Sequence, residues 1–182
     1  KYMGTSELHQ ILVDEIASLL AENNTTQVLD FSDTLPCKPY VIMVVGVNGV
    51  GKTTTAVNLT AALTKLEKRV LLCDFDPQAN ATSGLGVNKK KIKHSVYDVV
   101  INGVPAKDAI VFTDYGHVLP SSADLAGAAV ELISKEDREQ CLAKALNAIK
   151  YDYDVVFIDC PPSLEMLTIN ALCAADSILV PV

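Results

Sequence analysis

The run Gly46-Val47-Asn48-Gly49-Val50-Gly51-Lys52-Thr53 constrains this chain more than any other stretch, because it fits G-x-x-x-x-G-K-[ST] and both flanks suit it. Before it, Val41-Ile42-Met43-Val44-Val45 reads as a buried strand; after it, Lys52 to Lys65 reads as a helix. A strand–glycine loop–helix unit turns consecutive backbone N–H groups inward around a phosphate, with the positive end of the helix dipole behind them. Gly46, Gly49 and Gly51 supply the tight turn and close approach that a Cβ would obstruct. Lys52 is placed to reach the β- and γ-phosphates, Thr53 to ligate Mg²⁺, and Thr54 to extend the cradle that Val47, Asn48 and Val50 help to line. The expected ligand is a nucleoside triphosphate.

A length of 182 residues suits a domain with a sizeable core, and 49% hydrophobic residues without Trp suit a small-residue α/β protein. A net charge of −7 offers little to DNA or anionic lipid, and the one basic run, Lys89-Lys90-Lys91 with Lys93, reads first as a solvated loop. Nucleic acid is therefore not an expected partner of this acidic chain. The cysteines Cys37, Cys73, Cys141, Cys160 and Cys173 form no C-x-x-C pair and no metal spacing, which points to a reducing cytoplasm. No apolar run reaches membrane-span length and no signal peptide is visible, so no membrane partner is expected.

Along the chain, Leu8, Ile11, Leu12, Ile16, Leu19 and Leu20 recur at helical spacing after Ser6, and Asn23 to Lys38 is a polar connector. Further strands are expected at Arg69–Asp74, around Val118-Leu119-Pro120, at Val155–Asp159 and from Ser177 to Val182. Residues 84 to 110 read as a loop with short helical pieces, Asp124 to Lys150 as largely helical, and Leu164 to Ala175 as a helix. Strands of continuous apolar residues alternating with helices predict an α/β, Rossmann-like doubly wound, mostly parallel sheet with helices on both faces. The division expected is residues 1–38, helix and connector, and residues 39–182, nucleotide-binding domain.

Ligands of such sheets sit at the carboxyl ends of the strands. Here those ends carry the phosphate loop, then Cys73-Asp74-Phe75-Asp76-Pro77-Gln78, then Ile158-Asp159-Cys160-Pro161-Pro162. Asp159 is placed to hold Mg²⁺ through water together with Thr53, with Asp74 supporting the metal's water shell. Asp76 is the candidate for orienting the attacking water, beside Lys52 as the phosphate-binding catalytic cation. The roles of Asp74 and Asp76 are interchangeable on the sequence, and a lone Asp ending a strand also serves as a turn or cap residue. Asn80, Thr82 and Ser83 either line the γ-phosphate region or form a polar loop.

From about residue 56 to the end the chain resembles the ParA/MinD family of partition and positioning ATPases. The residues that carry this are Ala56-Val57-Asn58-Leu59, Val70-Leu71-Leu72-Cys73-Asp74-Phe75-Asp76-Pro77-Gln78-Ala79-Asn80-Ala81-Thr82, Leu119-Pro120, Asp124-Leu125-Ala126-Gly127-Ala128, and Asp159-Cys160-Pro161-Pro162 with Thr168-Ile169-Asn170-Ala171-Leu172. Residues 6–55, through Pro39-Tyr40-Val41 and the phosphate loop to Thr55, instead resemble the signal-recognition-particle receptor FtsY. A join near residues 54 to 58 is what an engineered chimera of the two would have. Both families are dimerising P-loop NTPases, so the resemblance implies a homodimer as a state of this chain.

The departures limit what carries over. Val47 stands where ParA-like proteins have a second lysine that reaches the partner's nucleotide, which puts stimulated hydrolysis in doubt. FtsY's arginine-containing motif and Thr-Lys-x-Asp element are absent, and the chain stops at Val182 before either family's base-recognition region. The expectation is Mg²⁺-dependent ATP binding with slow hydrolysis to ADP. The alternatives are a GTP/GDP-binding domain of the FtsY type and a non-catalytic chimeric scaffold.

Overall fold

Every residue of the strands Val70–Asp74 (β2) and Val155–Asp159 (β5) is buried, as expected of parallel strands covered on both faces. They pair with each other in the computed structural model, which describes residues 35–47, 49–163 and 165–181. The chain divides into two units, Lys1–Leu35 and Pro36–Val182, and the elements below all belong to the second. The amphipathic helix expected over Leu8 to Leu20, and the connector as far as residue 34, lie outside the described residues.

On the far side of β5 runs Tyr40–Val44 (β1), followed at that edge by Ser177–Leu179 (β6), both parallel. Beyond β2 lies Gly116–Leu119 (β4), also parallel, and then Val111–Thr113 (β3), antiparallel at the other edge. The sheet order is β3-β4-β2-β5-β1-β6. The mostly parallel, Rossmann-like architecture is the one expected. The antiparallel β3 is an addition, because three residues with an exposed centre carry no readable alternation.

Lys52–Lys65 (α1) has the bounds expected of it and packs over β2 and β5 through Ala56, Thr60 and Leu63. A separate core joins Val41, Met43, Leu71, Cys73, Val156 and Ile158 to helices that follow later in the chain. Those helices are Val96–Val100 (α3), Leu125–Leu132 (α5), Cys141–Asn147 (α6) and Met166–Ala174 (α7). Two short helices complete the set: Asn80–Gly84 (α2), directly after the β2 loop, and Ala106–Ala109 (α4). The stretch expected to be helical from Asp124 to Lys150 is broken between α5 and α6, where Asp137 adopts a left-handed conformation at φ +50°. Lys89–Lys91 forms an exposed 3-10 turn, in keeping with a solvated basic run. Among the described residues, no helix is long and apolar enough to cross a membrane.

Register is what builds the site. β5 pairs Val44↔Asp159 on one side and Asp74↔Asp159 on the other, so the ends of β1, β5 and β2 are level.

Candidate nucleotide site

The loop that leaves β1 ends at Gly51, whose φ of +82° makes it a left-handed cap on α1. That conformation lets the chain turn directly into the helix, and a residue with a Cβ would be strained there. Gly51 O already accepts the first helical bond, from Thr55 N at 2.8 Å. The preceding N–H groups of the first turn have no intrahelical partner, and no acidic side chain sits among them. The helix therefore presents bare donors and a partial positive charge toward the loop.

Lys52 is buried, and its ammonium folds back on the loop, donating to Gly46 O at 2.7 Å and Val47 O at 3.3 Å. Gly49, Val47 and Thr54 are exposed; Val50, Gly46, Gly51 and Thr53 are half-buried. Asn48, expected to line the cradle, lies outside the described residues.

Thr53 Oγ1 donates to Asp159 Oδ2 at 2.7 Å, which brings the expected metal pair into contact. The other oxygen, Asp159 Oδ1, is buried and has no hydrogen-bond partner among the described residues. A buried anionic oxygen left unpaired is costly, so its presence beside a phosphate loop fits a position built for a cation's water shell. Burial pushes the Asp159 carboxyl up to about 7, against the lowering pull of Thr53, with Asp74 and Asp76 adding repulsion. Among the described residues, no group of three or more His, Cys, Asp or Glu side chains is arranged to hold a metal by itself. Mg²⁺ does not require one, since it keeps several waters and takes phosphate oxygens as ligands. The residues present fit Mg²⁺.

Asp74 is buried and its oxygens already have protein donors. Oδ2 accepts from Thr82 N and Thr82 Oγ1, both at 2.6 Å, and Oδ1 accepts from Asp76 N at 3.3 Å. Burial pushes its carboxyl up to about 6, opposed by the bonds from Thr82. These contacts make Asp74 an organiser of the loop it begins. Asp76 is half-buried two residues on, and its Oδ1 accepts from Gln78 N at 2.9 Å in a tight turn.

Of the polar residues read as possible phosphate neighbours, Asn80 is exposed and Ser83 Oγ donates to Ala79 O in its own turn. Thr82 turns inward to Asp74. Sequence reasoning missed that bond, along with the Lys89 Nζ bond to Gln78 O at 2.8 Å. The available signal for Thr82 was the helix start at Asn80, which returns the chain over the strand end it has just left.

A phosphate loop, a lysine inside it and a Thr–Asp pair at level strand ends define the class of P-loop nucleotide-binding proteins. The family model described as an AAA domain matches residues 41–182. The chain belongs to that family, within the ParA/MinD class of P-loop ATPases. It is 52% identical over 136 residues to the sporulation initiation inhibitor protein Soj of Bacillus subtilis, covering 74% of this chain and 54% of that one. To the chromosome partitioning protein ParA of Myxococcus xanthus it is 49% identical over 135 residues, covering 73% and 48%. Among solved structures, cobyrinic acid a,c-diamide synthase from Mycobacterium smegmatis, with bound ADP and magnesium, superposes with a TM-score of 0.76 at 45% identity. That match covers 79% of this chain and 59% of the other. The chain thus spans about half the length of the relatives it matches.

Proposed function

We propose that residues 39–182 bind ATP with Mg²⁺ and hydrolyse it slowly to ADP and phosphate, as the nucleotide module of a ParA-like protein. The observation that carries this is the Thr53–Asp159 bond with Asp159 Oδ1 left buried and unpartnered, next to the phosphate loop. The ADP and magnesium of the Mycobacterium smegmatis structure support the choice of adenine nucleotide and metal. The match over residues 41–182 runs across residues 54–58, which favours the ParA side over an FtsY-type GTPase whatever the origin of the segment before it.

In this reading Lys52 exchanges its loop carbonyls for the β- and γ-phosphate oxygens, and the N–H groups around Gly49 to Thr54 hold the rest of the phosphate chain. Thr53 directly and Asp159 through water would hold Mg²⁺, which when bound would supply positive charge to the phosphates. Asp76 orients water for in-line attack on the γ-phosphorus as the bond to the β-phosphate oxygen breaks. Asp74 keeps the Asp76 backbone in place. Val47, 70% exposed, offers no charge to a second site, so turnover is slow. ATP-loaded chains pair as homodimers. All five cysteines are free thiols, which supports a cytoplasmic setting.

Calorimetry with ATP and GTP, with and without Mg²⁺, tests the reading, with Lys52→Ala as control. Mg²⁺-dependent ATP binding that the substitution weakens, followed by phosphate release, is the expected result. Preference for GTP would move the function to the FtsY side. Binding of neither nucleotide would leave a scaffold.

A further inference from the structure

The Thr82 hydroxyl has partners on both sides and no contact with solvent. It donates to Asp74 Oδ2 at 2.6 Å and accepts from Ser121 N at 3.0 Å. Ser121, also fully buried, follows the end of β4, and its neighbours are fixed in turn. Pro120 O accepts from Val96 N at 2.7 Å, and Ser122 Oγ lies 3.2 Å from Ser95 Oγ. Asp74's other oxygen holds Asp76 N. A line of hydrogen bonds therefore runs from the end of β4 through Thr82 and Asp74 to the backbone of Asp76.

We propose that Thr82 is a positioning residue of the nucleotide site: its hydroxyl clamps Asp74 against Ser121 N and so fixes where Asp76 presents its carboxylate. Its effect on turnover rests on the ATPase reading above; the clamp itself does not. A packing role alone would be met by Val, which has the same shape. Val, however, would leave Ser121 N and one Asp74 hydrogen bond unmade in the interior, where each further unpaired polar group costs stability. Ser83, the next residue, also has a hydroxyl, but its bond stays within its own turn and reaches nothing in the site. The reach of Thr82 comes from Ala79, whose left-handed φ of +52° reverses the chain so that α2 starts back over Asp74. Placement errors of an ångström in a group that orients a nucleophile lower rates by about 100-fold.

The test compares the full chain with its Thr82→Val and Thr82→Ser variants in three measurements. These are ATP affinity with Mg²⁺ by calorimetry, single-turnover phosphate release, and amide hydrogen exchange at Asp76, Thr82 and Ser121 without nucleotide. Thr82→Val is expected to keep ATP affinity within about threefold while phosphate release falls about 10- to 100-fold. Exchange at Ser121 and Asp76 should speed up in that variant, and Thr82→Ser should restore both readouts. Wild-type turnover and unchanged exchange in Thr82→Val would overturn the proposal.

Should Thr82→Val fail to fold, the wild-type exchange rates decide. Thr82 and Ser121 amides that open only with global unfolding support the clamp, and amides that exchange at the rate of unprotected loop backbone refute it. If the wild type neither binds nor hydrolyses ATP, the ATPase reading fails, and the exchange comparison still judges the clamp.

Discussion

Asp74 and Asp159 are register partners, the last residues of adjacent parallel strands, and both carboxylates are buried. Asp74 is satisfied by protein donors, whereas Asp159 keeps one oxygen without any among the described residues. Replacing Asp159 by Asn removes a buried carboxyl group beside another acid. The variant is expected to melt no lower than the wild type without ligand. Its ATP affinity should no longer tighten with Mg²⁺, a loss of about 10- to 100-fold at saturating metal. Thermal melts and calorimetry with and without Mg²⁺ check both halves, and a variant that keeps the Mg²⁺ effect would remove Asp159 from the metal's shell.

Lys52→Ala separates binding from stability. The ammonium's partners are carbonyls of a partly exposed loop, which water can serve, so the change in unfolding free energy should stay within about 1 kcal/mol. ATP affinity should fall at least about tenfold, or about 1.4 kcal/mol. Urea titration and calorimetry on one preparation measure the two effects.

The Asp154 carboxylate sits outside the site and predicts a pH dependence. Arg69 bonds it through N at 2.9 Å and Nη2 at 3.0 Å, and Lys38 Nζ lies 2.6 Å away. The Arg69 bond, then Lys38, holds the carboxyl well below the usual carboxylate range. Folded Asp154 thus binds its proton more weakly than unfolded Asp154. Its stabilisation is complete above the ordinary carboxylate pKa of about 4 and is lost as pH falls toward the folded value. Asp154→Asn should cost about 1 kcal/mol at pH 7, since Arg69 and Lys38 are largely exposed. The gap to wild type should narrow in urea melts at pH 4 and pH 3, and a constant gap would contradict the assignment.

Gly116 opens β4 beneath α1 at a φ of +126°. A Cβ there would lie 2.8 Å from Thr60 Cγ2 and 2.9 Å from Thr64 Oγ1. Strained backbone and overpacking together predict that Gly116→Ala costs about 2–3 kcal/mol. A denaturant midpoint equal to wild type would mean that α1 gives way freely.

The phosphate loop, α1 and β5 were legible because each signal is local: a glycine pattern, a 14-residue helix starting at Lys52, and a strand of continuous apolar residues ending in Asp159. Motif type assigned Thr53 and Asp159 to one metal, but their direct hydrogen bond across 106 positions came only with the register of the strands. β3 was not legible, since a three-residue edge strand takes its conformation from its pairing with β4. Nor was the bond between Thr82 and Asp74, which depends on Ala79 adopting a conformation that Ala seldom takes. Propensity reports what a residue prefers, and Ala79 is held where the surrounding chain requires it.

In the proposed reading, the inward fold of Lys52 makes nucleotide entry a substitution. Its ammonium already has two acceptors, so a phosphate must outcompete Gly46 O and Val47 O instead of meeting an idle cation. On that reading the latch would discriminate by anionic strength: adenosine, with no charge to offer, would leave it shut, while a triphosphate would draw the lysine away from its carbonyls. Selectivity for highly charged ligands would then follow from the loop's own hydrogen bonds, ahead of any reading of the base.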